Sequence, residues 1–211
     1  MLSRLAQNGE IAMTNLFAFA PLGALTIVAA STLYLAVLMA RRDGVKAIVL
    51  PSGDDAHAFI GQVFKVFVAL GALFCVAYAI KPSFTAYLGP LDWLTSPIAA
   101  WVGVALMAPG ALLVVAAQLG MGASWRVGID HENRTGLVNT GLYRFSRNPI
   151  YVGIIMILIG VFLVAPNAVT LTMLAVAAVT VSAQVRLEED YLSRMHGAAY
   201  AAFCVRTRRW L

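Results

Sequence analysis

Charged residues are scarce in this chain of 211 residues, at 12% of the sequence, whereas hydrophobic residues make up 61% and the mean hydropathy is +0.81. Soluble domains average about a quarter charged residues and about half apolar ones. A soluble fold of this size has too little interior to hide so much apolar surface. The composition therefore excludes an ordinary soluble protein and predicts an all-α integral membrane protein, a helical bundle.

Cysteine and histidine are also rare. The two cysteines, Cys75 and Cys204, are too few for a disulfide framework and form no metal-binding pattern. The three histidines, His57, His131 and His196, are scattered without the spacing of metal ligands. The sequence therefore predicts no metal site.

Five apolar runs alternate with polar segments, and about 20 helical residues are enough to cross the hydrocarbon core of a bilayer. The runs cover residues 16–40, 60–80, 98–119, 150–165 and 168–185. The fourth is short, and Pro166-Asn167 predicts a tight turn between it and the fifth. Residues 1–15 are polar enough to predict a flexible or interfacial lead-in, and from Arg186 onward the pattern predicts an amphipathic C-terminal helix.

Lysine and arginine fall almost entirely on one side of such a bundle. With five spans, one side receives 12 of these residues and the other receives only Arg4 and Lys81. Lys65 lies within the second span, close to its start, and is expected to snorkel to the interface. Because an excess of positive charge marks the cytoplasmic side, the N-terminus is predicted outside and the C-terminus in the cytoplasm. The same rule explains the net charge of +5 without a nucleic-acid partner.

Two polar clusters on the predicted cytoplasmic side carry the candidate chemistry. One covers residues 135–153 and the other begins at Glu188-Glu189. The hairpin of the fourth and fifth spans separates them, and antiparallel neighbours joined by a tight turn bring their far ends together. Arg147 and Asn148 are therefore predicted to lie near the two glutamates.

The residue types of this predicted pocket suit a zwitterionic ligand that carries an aromatic ring. Pro149 fits the first turn of a helix, whose free N–H groups give that end a positive partial charge. The glutamates can hold a cation or accept hydrogen bonds from hydroxyls. Tyr143 and Tyr151 add flat apolar faces. These considerations leave the identity of the ligand open.

The spacing of the two clusters resembles a known superfamily. The string Gly-Leu-Tyr-Arg-x-x-Arg-Asn-Pro-x-Tyr-x-Gly at 141–153 is followed by Glu-Glu-x-x-Leu at 188–192 and Gly-x-x-Tyr at 197–200. This pattern resembles the isoprenylcysteine carboxyl methyltransferase and phospholipid methyltransferase superfamily. The resemblance covers only the C-terminal part of the chain and implies a cofactor-binding half over 120–211. The three predicted N-terminal transmembrane helices over 1–119 carry no such resemblance, and the length suits one structural domain.

The resemblance also implies where S-adenosylmethionine binds. The cofactor lies between the part of the first cluster that precedes Pro149, which we call the motif loop, and the helix that carries Glu188 and Glu189. The residues that it places around the cofactor are Thr135, Gly136, Leu137, Val138, Tyr143, Asn148, Pro149, Ile150, Tyr151 and Glu188. Arg147 and Glu189 are the predicted catalytic residues, with Glu189 or Tyr151 as proton acceptor for an amine or thiol substrate. Many family members have His in place of Asn148, and prenylcysteine enzymes have Arg in place of Gln184.

The methyl acceptor is left open by the sequence, as is the oligomeric state. A prenylcysteine-type carboxylate, a phospholipid amine and a small hydrophobic thiol or amine all fit a lipophilic substrate that enters from the membrane. One alternative is an NADPH-dependent membrane reductase of related architecture, although such reductases are larger and show Asn-Tyr rather than Pro-x-Tyr. The other is a non-catalytic membrane protein such as a transporter, although transporters usually show internal repeats.

Overall fold

The computed structural model describes residues 2–43, 56–126 and 136–211, and every regular element in these residues is helical. The α-helices are α1 (Leu2–Asp43), α2 (Ala56–Ile80), α3 (Pro97–Met121), α4 (Pro149–Val164), α5 (Ala168–His196) and α6 (Ala198–Arg206). Short 3-10 turns cover Pro82–Tyr87, Asp92–Leu94, Gly122–Ser124 and Gly141–Arg144. The predicted all-α fold is confirmed for this part of the chain.

Four of the described helices are long and apolar enough to cross a membrane: Met13–Arg42 within α1, and the whole of α2, α3 and α5. Many of their large apolar side chains point outward, including Leu33, Leu70 and Leu112. An apolar exterior is what lipid requires of a helical bundle. The chain is therefore a multi-pass membrane protein. The fourth predicted span corresponds to α4, an apolar helix of 16 residues.

Two helix boundaries differ from the prediction. Residues 2–15 are helical rather than flexible, because α1 runs without interruption from Leu2 into the first span. The predicted amphipathic helix is likewise continuous with the fifth span, since no glycine or proline interrupts α5 before His196. The break comes at Gly197, whose φ of +51° favours glycine, and only the short α6 follows it.

The closest helix pair is α3 and α4, which pack antiparallel with their backbones in contact at two levels. A Cβ atom added to Gly103 would lie 2.6 Å from the carbonyl oxygen of Gly160. One added to Gly153 would lie 2.6 Å from the carbonyl oxygen of Gly110. Small residues allow this approach between apolar helices. We call these four residues the glycine seam.

The turn between α4 and α5 is held at the end of the bundle opposite the motif loop. Asn167 is fully buried and forms a capping box with Thr170, in which each side chain accepts a backbone N–H of the other residue. Backbone bonds of 2.8 and 3.0 Å join residues 166–168 to residues 89–91. The short hairpin is therefore fixed at its closed end, and only its other end is left to form a site.

A recess opens at that other end because α4 is short. At 1.5 Å per residue α4 is about 24 Å long, whereas α5 is about 43 Å long. The glycine seam places Gly153 opposite Gly110, so Pro149 lies level with Val114 and α3 extends about 10 Å further, to Met121. The motif loop occupies the space that the longer helices surround.

We expect Gly153→Ala to destabilise the protein by about 1–3 kcal/mol, because its methyl group would overlap the Gly110 carbonyl and Val114. Gly23→Ala is the matched control, since a Cβ on Gly23 meets nothing within 4 Å and alanine favours a helix interior. Thermal unfolding in detergent, followed by circular dichroism, measures both changes. Equal unfolding temperatures for the two variants would contradict the seam.

Candidate active site

A cavity of about 620 Å³ lies in the recess and continues between α1, α2, α4 and α5. This volume is typical of a small-molecule site. We call its motif end the polar chamber, whose lining includes Gln118, Trp125, Gly136, Leu137, Val138, Tyr143, Arg147, Asn148, Pro149, Ile150, Tyr151, Glu188, Glu189, Tyr200 and Phe203. We call the rest the apolar arm, whose lining includes Pro21, Ala24, Leu25, Val28, Phe64, Phe67, Val68, Gly71, Cys75, Ile154, Ile157, Leu158, Val161 and Met173.

Glu188 is held in the polar chamber by two donors. The hydroxyl of Tyr151 donates to its Oε1 over 2.7 Å, and the amide nitrogen of Gln184 donates to the same atom over 2.8 Å. Tyr151 comes from the start of α4, whereas Gln184 lies one turn before Glu188 on α5. The two bonds therefore fix the carboxylate in orientation, and the bond from Tyr151 joins the two helices at the open end of the hairpin.

Glu189 lies between two arginines. Arg209 donates to both carboxylate oxygens, with Nη2 2.7 Å from Oε2 and Nε 3.1 Å from each oxygen. Arg147 approaches Oε1 less closely, at 3.5 Å. The side chains of Arg147 and Glu189 are each only 14% exposed. The forked pair of Arg209 and Glu189 is stronger and more directional than an ordinary surface ion pair.

One donor in this cluster is unused. The Nε of Arg147 is buried and has no hydrogen-bond partner among the described residues. The guanidinium does contact the sulfur of Cys204 through Nη1, and it borders the polar chamber. Buried donors in proteins are nearly always paired. Because the Arg147 side chain also lines the chamber, its positive charge is available to an anionic ligand group there.

The end of the motif loop is shaped by internal bonds and by the C-terminus. Ser146 is fully buried and accepts the backbone N–H of Asn148 over 3.1 Å. The backbone N–H of Arg147 donates to the carbonyl of Arg208 over 2.9 Å, and the side chain of Asn148 donates to the carbonyl of Arg209 over 3.0 Å. The amide group of Asn148 thus docks the C-terminus rather than capping α4.

Tyr143 packs beneath the chamber from the 3-10 turn that begins at Gly141. Its hydroxyl donates a long hydrogen bond, 3.4 Å, to the carbonyl of Ala117 on α3. Burial, reinforced by the negative charge of Glu188, raises the pKa of the Tyr143 phenol. The hydroxyl therefore stays neutral and acts as a donor at physiological pH.

The structure brings nearly all the predicted site residues to the polar chamber. Gly136, Leu137, Val138, Tyr143, Arg147, Asn148, Pro149, Ile150, Tyr151, Glu188 and Glu189 all line it. The predicted approach of the motif loop to the glutamates is confirmed by the Arg147–Glu189 and Tyr151–Glu188 contacts. Thr135 and His131 lie outside the described residues. The roles assigned to these residues stay predictions.

Sequence reasoning missed several residues of the site. It did not include Arg209, whose side chain binds Glu189. It also passed over Gln118, whose side chain bonds to Ser31 over 2.7 Å and to Thr32 over 2.9 Å at the chamber wall. A single glutamine in an apolar span was a usable signal. No comparable signal in the sequence points to Arg209, because its partner lies 20 residues away along the chain.

A scan against family models matches residues 98–199, just under half of the chain, to the phospholipid methyltransferase family. The match runs from α3 through the motif loop and α4 to α5, which together hold the glycine seam and most of the polar chamber. No curated protein matches the chain. Residues 98–199 therefore match the phospholipid methyltransferase family, within the isoprenylcysteine/phospholipid methyltransferase superfamily, and this match supports a membrane methyltransferase.

Proposed function

We propose that the protein is a membrane-embedded methyltransferase that uses S-adenosylmethionine to methylate a lipophilic acceptor. The observation that carries this proposal is a single cavity that joins the motif residues to an apolar arm inside the bundle. A polar, charged cofactor and an apolar substrate need two such compartments in continuous contact. The family match supports the reaction class.

The donor set of the polar chamber fits this cofactor. The guanidinium of Arg147, which lines the chamber, suits a carboxylate, and the fixed carboxylate of Glu188 suits a hydroxyl or an ammonium group. Gly136 has open space at the position of a side chain, so its backbone can approach a ligand. When bound, S-adenosylmethionine supplies a methyl group on an electrophilic sulfonium. The protein's contribution is then orientation and the exclusion of water.

The apolar arm sets the orientation of the acceptor. Among the described residues that line the arm, none is charged. The arm follows α4 from Ile154 to Val161, and Val161 lies about 18 Å along the helix from Pro149. A substrate therefore places its hydrocarbon in the arm and its polar, reacting atom in the chamber. The prenylcysteine-type carboxylate, the phospholipid amine and the small hydrophobic thiol or amine all satisfy this arrangement.

The need for a base depends on the acceptor. A carboxylate attacks without losing a proton, whereas an amine or thiol must give one up. Both oxygens of Glu189 are engaged by Arg209, which makes Glu189 a poor proton acceptor. We assign this role to the Tyr151–Glu188 pair, in which Tyr151 can accept a proton as its own moves to Glu188 across the 2.7 Å bond.

We also propose five spans, with α4 as the fourth, an outside N-terminus and a cytoplasmic site. Two observations support this count. The helix α4 runs antiparallel to both α3 and α5, and the turn between α4 and α5 is hydrogen-bonded to residues 89–91. The charge distribution favours the cytoplasm for the motif end. Because both 1–119 and 120–211 line the cavity, we treat them as one structural domain.

Calorimetric titration of the detergent-purified protein with S-adenosylhomocysteine tests the cofactor, with NADPH as the parallel ligand. We expect saturable binding of S-adenosylhomocysteine and none of NADPH. Binding of NADPH alone would move the protein to the reductase alternative. Binding of neither ligand would favour the non-catalytic alternative.

We expect Glu188→Ala to weaken S-adenosylhomocysteine binding at least about tenfold, the usual result of losing one hydrogen bond to a charged group. Asp190→Ala is the matched control, because Asp190 is 62% exposed and pairs only with Arg194 on the same helix. Both variants should unfold at the wild-type temperature to within a few degrees. Wild-type affinity in Glu188→Ala would remove Glu188 from the cofactor site.

Labelling with a membrane-impermeant maleimide tests the topology. We place single cysteines at Tyr87, which is 88% exposed in the loop before α3, and at the exposed Arg206. The Tyr87→Cys variant should be labelled in intact cells, and Arg206→Cys only after lysis. The unmodified protein controls for Cys75 and Cys204, and the reverse labelling pattern would invert the proposed orientation.

A further inference from the structure

The C-terminal residues that follow α6 form part of the wall behind the polar chamber. This C-terminal tail, residues 207–209, lies beyond the segment that matches the family model. Its backbone carbonyls accept from Arg147 and Asn148 in the motif loop, and its Arg209 side chain binds Glu189 of α5. The tail thus joins the motif loop to α5, although the tail itself belongs to neither of the two sequence motifs.

The electrostatic effect of this contact falls on Arg147. Glu189 is the carboxylate nearest to Arg147, yet Arg209 already donates to both of its oxygens and leaves Arg147 at 3.5 Å. Consequently the positive charge of Arg147 is only partly compensated, and its side chain lines the chamber. Without Arg209, Glu189 would be free to close onto Arg147 in a forked pair of its own.

We propose that Arg209 is a positioning residue of the cofactor site, which saturates Glu189 so that Arg147 can bind the carboxylate of the cofactor's amino-acid portion. The inference rests on the proposed function and deepens it by naming the ligand group that Arg147 recognises. Arg209 itself does not line the cavity. Its effect is transmitted through Glu189, and it should be specific to ligands that carry the carboxylate.

Two ligands separate this role from a general loss of structure. S-adenosylhomocysteine carries the carboxylate, whereas 5′-methylthioadenosine keeps the adenosine thioether and lacks the amino-acid portion. We titrate each into the wild-type protein, Arg209→Gln, Arg209→Lys and the control Arg206→Gln. Arg206 is exposed, lies three residues from Arg209, and bonds only to a carbonyl of its own helix.

We expect Arg209→Gln to weaken S-adenosylhomocysteine binding at least about tenfold and to leave 5′-methylthioadenosine binding unchanged. Arg209→Lys should give an intermediate loss, because lysine keeps the charge but not the fork. Arg206→Gln should bind both ligands as the wild type does. Equal weakening of both ligands in Arg209→Gln, or no weakening of either, would overturn the role of Arg209.

A failure of the proposed function would give a different result from a failure of the role of Arg209 alone. If the wild-type protein binds neither adenosine ligand, the cofactor assignment and the role of Arg209 fall together. If the wild type binds S-adenosylhomocysteine and Arg209→Gln binds it equally well, only the role of Arg209 falls. Unchanged binding of 5′-methylthioadenosine also shows that each variant is folded.

Discussion

Close backbone packing between α3 and α4 controls the geometry of the helical bundle. Lipid gives no hydrophobic driving force for two apolar helices to associate, so their attraction comes from close packing. The glycine seam provides that packing and also fixes the register of the two helices. The register sets the level at which α4 begins, and the shortness of α4 leaves the recess. The position of the cavity is therefore a consequence of four residues without side chains.

The same recess explains why the polar groups gather where they do. Glu188, Glu189 and Arg147 lie at the end of the bundle where α5 continues beyond α4, and each has partners from another element. Charges at this depth are costly unless they are paired. The network around the two glutamates meets that requirement, except at the Nε of Arg147.

The family match and the geometry of the cavity give different information about the function of the protein. The match identifies the reaction class for residues 98–199. The apolar arm extends the cavity into the bundle, and residues of α1 and α2, outside the matched segment, line it. The part of the chain that resembles the family thus supplies the polar chamber, and the N-terminal helices contribute much of the arm.

The sequence by itself determined the helical membrane fold, the hairpin and the approach of Arg147 to the glutamates. These follow from hydropathy and from the fixed rise of a helix, which are local properties that a sequence displays directly. The predicted boundaries at the start of α1 and at the end of α5 were wrong, because the polarity of the sequence changes there while its helix propensity does not.

Three contacts could not be predicted from the sequence: the bond of Arg209 to Glu189, the docking of Asn148 on the tail, and the packing of Gly103 against Gly160. Each joins residues that are far apart along the chain and leave no periodic pattern. Their contacts depend on how helices of unequal length pack against one another, which no single segment encodes.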